Sequence, residues 1–192
     1  MTVSSLTLAI QLTSGYVSIV DAVDYEKVAA YKWFPKKDRS GNIYAVANQS
    51  TKGGKPPKQL FMHRLVLDIT DPKIQVDHRD NDGLNNTRLN LRSATHGQNQ
   101  HNSRKHAKGS SNYKGVMYYS KTGKWKVSIS INGHKKHLGY FESETDAACA
   151  YDKAARIYFG DFALCNFPLK KPCLSARRSR CVDFSLSRWA VQ

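Results

Sequence analysis

Cysteine is scarce in this sequence and badly spaced for chemistry. Its four cysteines (Cys149, Cys165, Cys173 and Cys181) form no CxxC pair and crowd the C-terminal quarter. Neither a zinc site nor a disulfide framework follows. Long apolar runs are also missing, and none approaches the roughly 20 residues that a membrane helix needs. The N-terminus, MTVSSLTLAIQLTSG, lacks the basic region of a secretory signal, since its first lysine is Lys27. These absences exclude a membrane or exported protein and place the expectation in the cytoplasm. Acidic residues are few: 15 Asp+Glu stand against 30 Lys+Arg, a net charge of +15 on 192 residues. With 40% hydrophobic residues and a mean hydropathy of -0.57, the chain has enough apolar content for a packed core. A folded chain this basic most often meets a polyanion, and nucleic acid leads.

The charge is unevenly placed. Residues 1–60 are net +4, residues 61–102 hold 5 basic and 5 acidic residues, and residues 103–192 are net +11. A neutral segment with clustered carboxylates between two basic ones suits an enzyme that grips a polyanion and keeps carboxylates for a metal.

Local patterns give the order of elements. LTLAIQLTSGYVSIVD alternates apolar and polar residues around Thr13-Ser14-Gly15, a β-hairpin. Asp24 can cap a short helix, DYEKVAAYKWF, with Val28, Ala29, Tyr31 and Trp33 or Phe34 toward a core. Lys36 to Asn42 reads as a polar turn, IYAVANQ as a strand, and Ser50 to Lys58 as a loop. His63 falls within an apolar stretch read as a strand, where a structural histidine is expected. IQVDH and LNLRSA are short strands separated by RDNDGLNN, which is rich in turn formers. Thr95 and Gln98 fit a capping box that starts a helix running through Asn99. Residues 103–112 read as a basic flexible linker. Beyond it come three antiparallel strands with turns at Thr122-Gly123 and Asn132-Gly133, then an alanine-rich helix opened by Ser143 and ended by Gly160. Residues 169–192 read as a basic tail. The whole is expected to be an α+β chain.

Phosphodiester hydrolysis needs a positioned hydroxide, a divalent cation on the phosphate and a stabilised leaving oxygen. The middle segment offers Asp77 and His78 side by side, Asn90 twelve residues after His78, and Asn99 twenty-one after it. Adjacent strand residues point to opposite faces, so one site requires the strand to twist or bulge where it ends at His78. Here VDHRDNDGLNNTRLNLRSATHGQNQHN, preceded by MHRLVL, closely resembles the HNH (ββα-metal) motif of phage and intron-type homing endonucleases. The resemblance covers roughly residues 5–102, with the specific part at 62–102, and places a nuclease domain at 1–102. It implies that His78 is the general base, that Asp77 and Asn99 are metal ligands, and that Asn90 is the central Asn that orients the histidine through its backbone or side chain. Oxygen ligands favour Mg²⁺, with Mn²⁺ possible, and no zinc is expected. His96 and His101, flanking the ligand helix, fit phosphate contacts better than metal. Arg64, Arg88 and Arg92 could bind phosphate, and Arg88 and Arg92 could equally form a solvated rim.

The segment from KGVMYYS to LCNFP resembles the AP2 domain of plant transcription factors and phage HNH endonucleases. YKGV, GKW, LGYF, DAACAYDKAA and LCNFP fall in order, and the domain is placed at 113–168. The resemblance implies a three-stranded sheet laid in the major groove of double-stranded DNA and backed by a helix. By position, Met117, Tyr119, Lys124, Lys126, Ser128, Lys135, Lys136 and His137 would lie on or near the DNA. Lys114 and the linker cations Arg104, Lys105 and Lys108 would track the backbone. Trp125, Leu138, Phe141, Tyr151 and Phe167 read as core. The expected function is a sequence-directed, single-metal DNA endonuclease of homing type. The alternative is a DNA-binding regulator with an AP2 reader and a relic nuclease. No obligate protein partner is implied. If the chain is phage-encoded, it would work in the host cytoplasm.

Overall fold

The structure is a computed structural model that describes residues 6–49, 57–105 and 109–167. Lys108, the segment 169–192 and most of the expected loop 50–58 lie outside the described residues. The chain is mixed α and β, with small antiparallel sheets and short helices. No helix among the described residues is long and apolar enough to cross a membrane.

The first unit opens with the expected hairpin, β1 (Thr7–Gln11) and β2 (Val17–Asp21), joined by a turn in which Ser14 takes a φ of 65°. Helix α1 (Tyr25–Ala29) is shorter than expected. The chain leaves it through Trp33, whose indole nitrogen donates to the Val28 carbonyl at 2.8 Å. It then enters β3 (Phe34–Lys37), so Lys36 and Lys37 belong to a strand rather than to a turn. That strand pairs with β4 (Ile43–Gln49), and β4 pairs with β5 (Lys58–Phe61). Asp24 makes no side-chain cap; its carboxylate binds the Arg88 guanidinium instead. The stretch with His63 is not a strand but helix α2 (Met62–Val66). Its i, i+3/i+4 spacing buries Met62, His63 and Val66 together. The core gathers Ile10, Leu12, Val20, Val28, Trp33, Ala45, Met62, Val66 and Leu91. Each fully buried valine or methionine contributes about 1.5–3 kcal/mol.

Against this core lies β6 (Gln75–His78), paired with β7 (Leu91–Ala94) and followed by α3 (His96–His101). The expected capping box is present: Gln98 N donates to Thr95 Oγ1, and Thr95 N donates to Gln98 Oε1.

The second unit has β8 (Val116–Tyr119), β9 (Lys124–Ile131) and β10 (His134–Phe141) in the order β10-β9-β8, backed by α4 (Glu144–Phe159). Ala147, Ala148, Ala154 and Ala155 are buried against Val116, Val127, Ile129 and Leu138. The small side chains let helix and sheet approach closely. Gly115 (φ 77°) shows how closely: a Cβ there would meet the Tyr151 ring at 2.0 Å. Asp152, buried on α4, accepts from the backbone nitrogens of Asn166 and Phe167 and so fastens the CNF segment. Trp125, Phe141 and Phe167 pack on this core with Tyr151 and Leu138, as expected.

Candidate active site and nucleic-acid interface

The β6–β7 connection is irregular, so polar side chains take over the work of a ladder. Arg79 N donates to Asn90 O at 3.0 Å, and Asn81 N donates to His78 O at 3.0 Å with Asn81 at a φ of 59°. Asp80 and Asp82 accept from backbone nitrogens two residues on, at Asp82 and Leu84. The loop is also clamped to the N-terminal hairpin. Ile19 N donates to Leu84 O, Asn86 N to Ile19 O, and Arg88 N to Asp21 Oδ2. The abrupt turn after His78 lets both Asp77 and His78 line one cavity of about 670 Å³, together with Asn99. Arg39, Arg104 and Lys105 complete a basic rim.

His78 is almost fully buried. Its Nε2–H donates to Asn86 Oδ1 at 3.3 Å. The amide of Asn86 is fixed because its Nδ2 donates to Ser18 Oγ at 2.8 Å. That assignment puts the proton on Nε2 and the lone pair on Nδ1. Burial lowers the imidazole pKa, partly opposed by the Asn86 hydrogen bond and by Asp80, Asp77 and Asp82. The ring is therefore neutral near pH 7, as a base must be. His63 meets it edge-on at 5.2 Å between centroids, and Tyr44 lies at 5.9 Å. His63 is itself held neutral by burial, at about 3. Among the described residues its Nδ1 has no hydrogen-bond partner, where the sequence suggested a satisfied structural histidine.

Asn90 does not reach the imidazole with its side chain. Its amide donates to Asp80 Oδ1 at 2.9 Å and to Asn85 O at 2.8 Å, and its carbonyl takes the Arg79 N–H. It fixes the strand one residue past His78, while ring orientation falls to Asn86. The sequence reading missed Asn86 and Ser18. Nothing in RDNDGLNN separates Asn86 from its neighbours without knowing that it is fully buried.

Asp77 is buried with both carboxylate oxygens engaged. Arg92, its cross-strand partner, donates from Nε to Oδ2 at 2.7 Å and places Nη2 2.6 Å from the same oxygen. Asn102 Nδ2 donates to Oδ1 at 2.9 Å. Asn99 Nδ2 donates to Gln75 Oε1 at 3.0 Å, which leaves its amide oxygen for a cation. A carboxylate paired with an arginine, with an amide oxygen on the same cavity, is a hard-oxygen donor set that fits Mg²⁺ or Mn²⁺. Among the described residues there is no cluster of three or more His, Cys, Asp or Glu that could hold a metal.

The three arginines weighed for phosphate all have protein partners. Arg64 donates to Ile74 O and Asp71 O, Arg88 binds Asp24, and Arg92 binds Asp77. His96 lines the cavity and accepts from Gln75 Nε2 at 3.1 Å. His101 stacks on Phe159 of α4, with ring centroids 3.7 Å apart and planes 8° apart.

The candidate DNA face of the second unit divides along the register. Met117 pairs with Lys126, Tyr119 with Lys124, Ser128 with His137, and Ser130 with Lys135. These residues share the face opposite α4. Tyr119 and Tyr140 lie 5.6 Å apart, with Lys126 over the Tyr119 ring. Lys124 is ion-paired with Glu142. Lys136 is a correction: it pairs with buried Ile129, so it sits on the helix side and donates to Tyr158 Oη at 2.8 Å. Lys114 is another. Its ammonium donates to His101 O and Ser103 O at 2.6 and 2.7 Å, tying the two units together. Burial lowers its pKa to about 8. Arg104 and Lys105 stay on the cavity rim, with Arg104 Nη2 on Asn81 O at 3.1 Å. Ser111 and Asn112, expected in a flexible linker, both bind Glu144 Oε1.

An uncharacterized HNH endonuclease of Acanthamoeba polyphaga mimivirus is 35% identical over 153 residues, 79% of this chain and 75% of that protein. The chain belongs to the HNH endonuclease family. No family model matches the sequence. Two plant proteins are similar over a shorter stretch. APETALA2-like protein 2 of Oryza sativa subsp. indica is 43% identical over 60 residues, 31% of this HNH chain and 14% of the rice protein. The AP2-like ethylene-responsive transcription factor TOE2 of Arabidopsis thaliana is 43% identical over 58 residues, 30% of this chain and 12% of the plant protein.

Proposed function

We propose that this HNH protein is a sequence-directed DNA endonuclease, of the homing type carried by phages and mobile elements, that hydrolyses one phosphodiester bond per site with a single Mg²⁺ or Mn²⁺ ion. The observation that carries the reading is the convergence of His78, Asp77 and Asn99 on one cavity with a basic rim. His78 Nδ1 takes the proton of the attacking water, and Asn86 stabilises the resulting imidazolium through Nε2–H. Asp77 and Asn99 hold the cation. When bound, the ion polarises the scissile phosphate and stabilises the leaving oxygen. Arg39, Arg104 and Lys105 draw the phosphate backbone into the cavity.

The C-terminal sheet supplies the address on double-stranded DNA. Met117, Tyr119, Lys126, Ser128, Lys135 and His137 form a groove-sized face with donors, a methyl-bearing side chain and, with Tyr140, a tilted aromatic pair. The test is supercoiled-plasmid cleavage with Mg²⁺ against a His78→Ala control. Tight duplex binding with no cleavage by the unaltered chain would favour the rival, a DNA-binding regulator with a relic nuclease.

A further inference from the structure

Arg92 sits between the two units. One edge of its guanidinium holds Asp77 Oδ2, and Nη1 donates to the Asp161 carbonyl at 2.6 Å. Its flat face lies 3.7 Å from the centre of the Phe162 ring. Asp161 and Phe162 belong to the turn that follows α4 in the C-terminal unit. The other holder of Asp77 leans on the same place. Asn102 donates to Asp77 Oδ1 and to His78 O, and its neighbour His101 is stacked on Phe159. Lys114 adds a third tie by binding the carbonyls of His101 and Ser103. Both groups that fix this carboxylate are thus one step from the end of α4.

We propose that Arg92 is a positioning residue that couples the DNA-reading unit to the nuclease centre. Phe162 and the Asp161 carbonyl aim its guanidinium, and the guanidinium sets Asp77 for the cation. This rests on the reading of Asp77 as a metal ligand. The arrangement has a physical logic. A carboxylate ligand works best when held in one rotamer, and the partners that hold such a ligand matter nearly as much as the ligand does. Arg92 occupies Oδ2 through two N–H groups, whereas Oδ1 is bound by the single amide N–H of Asn102. A planar guanidinium can hold a carboxylate, a carbonyl and an aromatic face at once, which a lysine ammonium cannot. Docking of the reader therefore completes the metal site, and a loosened reader weakens the cut before it weakens the grip.

The experiment titrates Mn²⁺ into the full chain by calorimetry and, separately, follows plasmid cleavage against Mn²⁺ concentration. The variants are Phe162→Ala, Arg92→Lys and Arg92→Ala, with thermal unfolding as the folding control. Loss of a group supporting a ligand typically costs about 10–100-fold in metal affinity. Arg92→Ala is expected in that range, and Arg92→Lys restores charge but not affinity. Phe162→Ala, remote from the cavity, raises the half-saturating Mn²⁺ about threefold in both assays, regains its cleavage rate at saturating metal, and binds DNA unchanged. Equal Mn²⁺ affinity in a folded Phe162→Ala protein overturns the coupling. Tighter Mn²⁺ binding in either Arg92 variant overturns it too, since Arg92 would then guard Asp77 against the cation. If the unaltered chain binds Mn²⁺ through Asp77 but cuts nothing, the nuclease reading fails while calorimetry still decides the coupling. A chain that binds no Mn²⁺ overturns both.

Discussion

The loop that carries His78 is fastened by side chains, whereas the C-terminal sheet is fastened by its own backbone ladder and an alanine face. In the first, Asp80, Asn85, Asn86 and Asn90 take the hydrogen bonds that no strand partner supplies. In the second, β9 is paired on both edges, and apolar residues at period two meet a helix of small side chains. The first construction aims the His78 ring through the amide of Asn86. The second tolerates change on its outer face, because that face does not hold it together.

The largest effect should come from removing the proposed base. His78→Ala should lower single-turnover cleavage by about 10²–10⁴-fold, with duplex affinity in a gel-shift assay unchanged. Asp77→Ala and Asn99→Ala should also lose cleavage. A wild-type rate for His78→Ala would remove His78 from the mechanism.

Two glycines probe the two constructions directly. A Cβ on Gly83 would lie 2.3 Å from the Ile43 carbonyl oxygen, and one on Gly115 2.0 Å from the Tyr151 ring. Overpacking of this kind costs about 1–3 kcal/mol. Gly83→Ala should reduce cleavage more than DNA binding, and Gly115→Ala the reverse. Equal effects on both assays would mean that the units fail together.

Asn86→Ala leaves a buried imidazole N–H without an acceptor, a loss of about 1–3 kcal/mol. Denaturant unfolding should show it. The pH–rate profile should shift as well, because Asn86 raises the His78 pKa against burial. Its removal moves the acid limb to lower pH. An unmoved limb would place the oriented ring elsewhere.

Acid should separate the units further. His63 and His78 both have lowered pKa values in the folded chain. The unfolded chain binds the extra protons first, so stability is fully present above the ordinary histidine value of about 6.5. It falls as pH drops from there toward the folded value, about 3 for His63. Thermal unfolding of the unaltered chain and of His63→Leu across that window checks this; the variant should lose less stability on acidification.

The smallest effect belongs to single cations on the sheet. Lys126→Ala or Lys135→Ala should each flatten the salt dependence of duplex binding by about 0.9 in log–log slope if it contacts one phosphate. An unchanged slope takes that lysine off the backbone.

Periodicity explains what could be read in advance. β1, β2, β4, β6 and β7, the capping box at Thr95 and the whole order of β8 to α4 follow from alternation, turn pairs and alanine spacing. His63 was misplaced because MHRLV is apolar enough for a strand, and only burial on one helical face separates the two. Lys136 was misassigned because a lysine in a strand reads as solvent-facing, although its register puts it beside Ile129. Asp77, His78 and Asn99 were legible as a spaced set. Their holders were not, since Asn86 meets Ser18 across 68 residues of chain and Arg92 meets Asp161 across 69.

The clamp of β2 on the His78 loop also bears on how small a working fragment can be. The compact motif runs from 62 to 102, yet Ile19 and Ser18 close the loop's backbone and its Asn86, and Asp21 and Asp24 hold Arg88. Trimming into that hairpin would unhook the loop after His78 without touching a residue of the motif. The smallest fragment that keeps the His78 site intact therefore begins ahead of β1, and its first strands are internal scaffolding for a site encoded some sixty residues later.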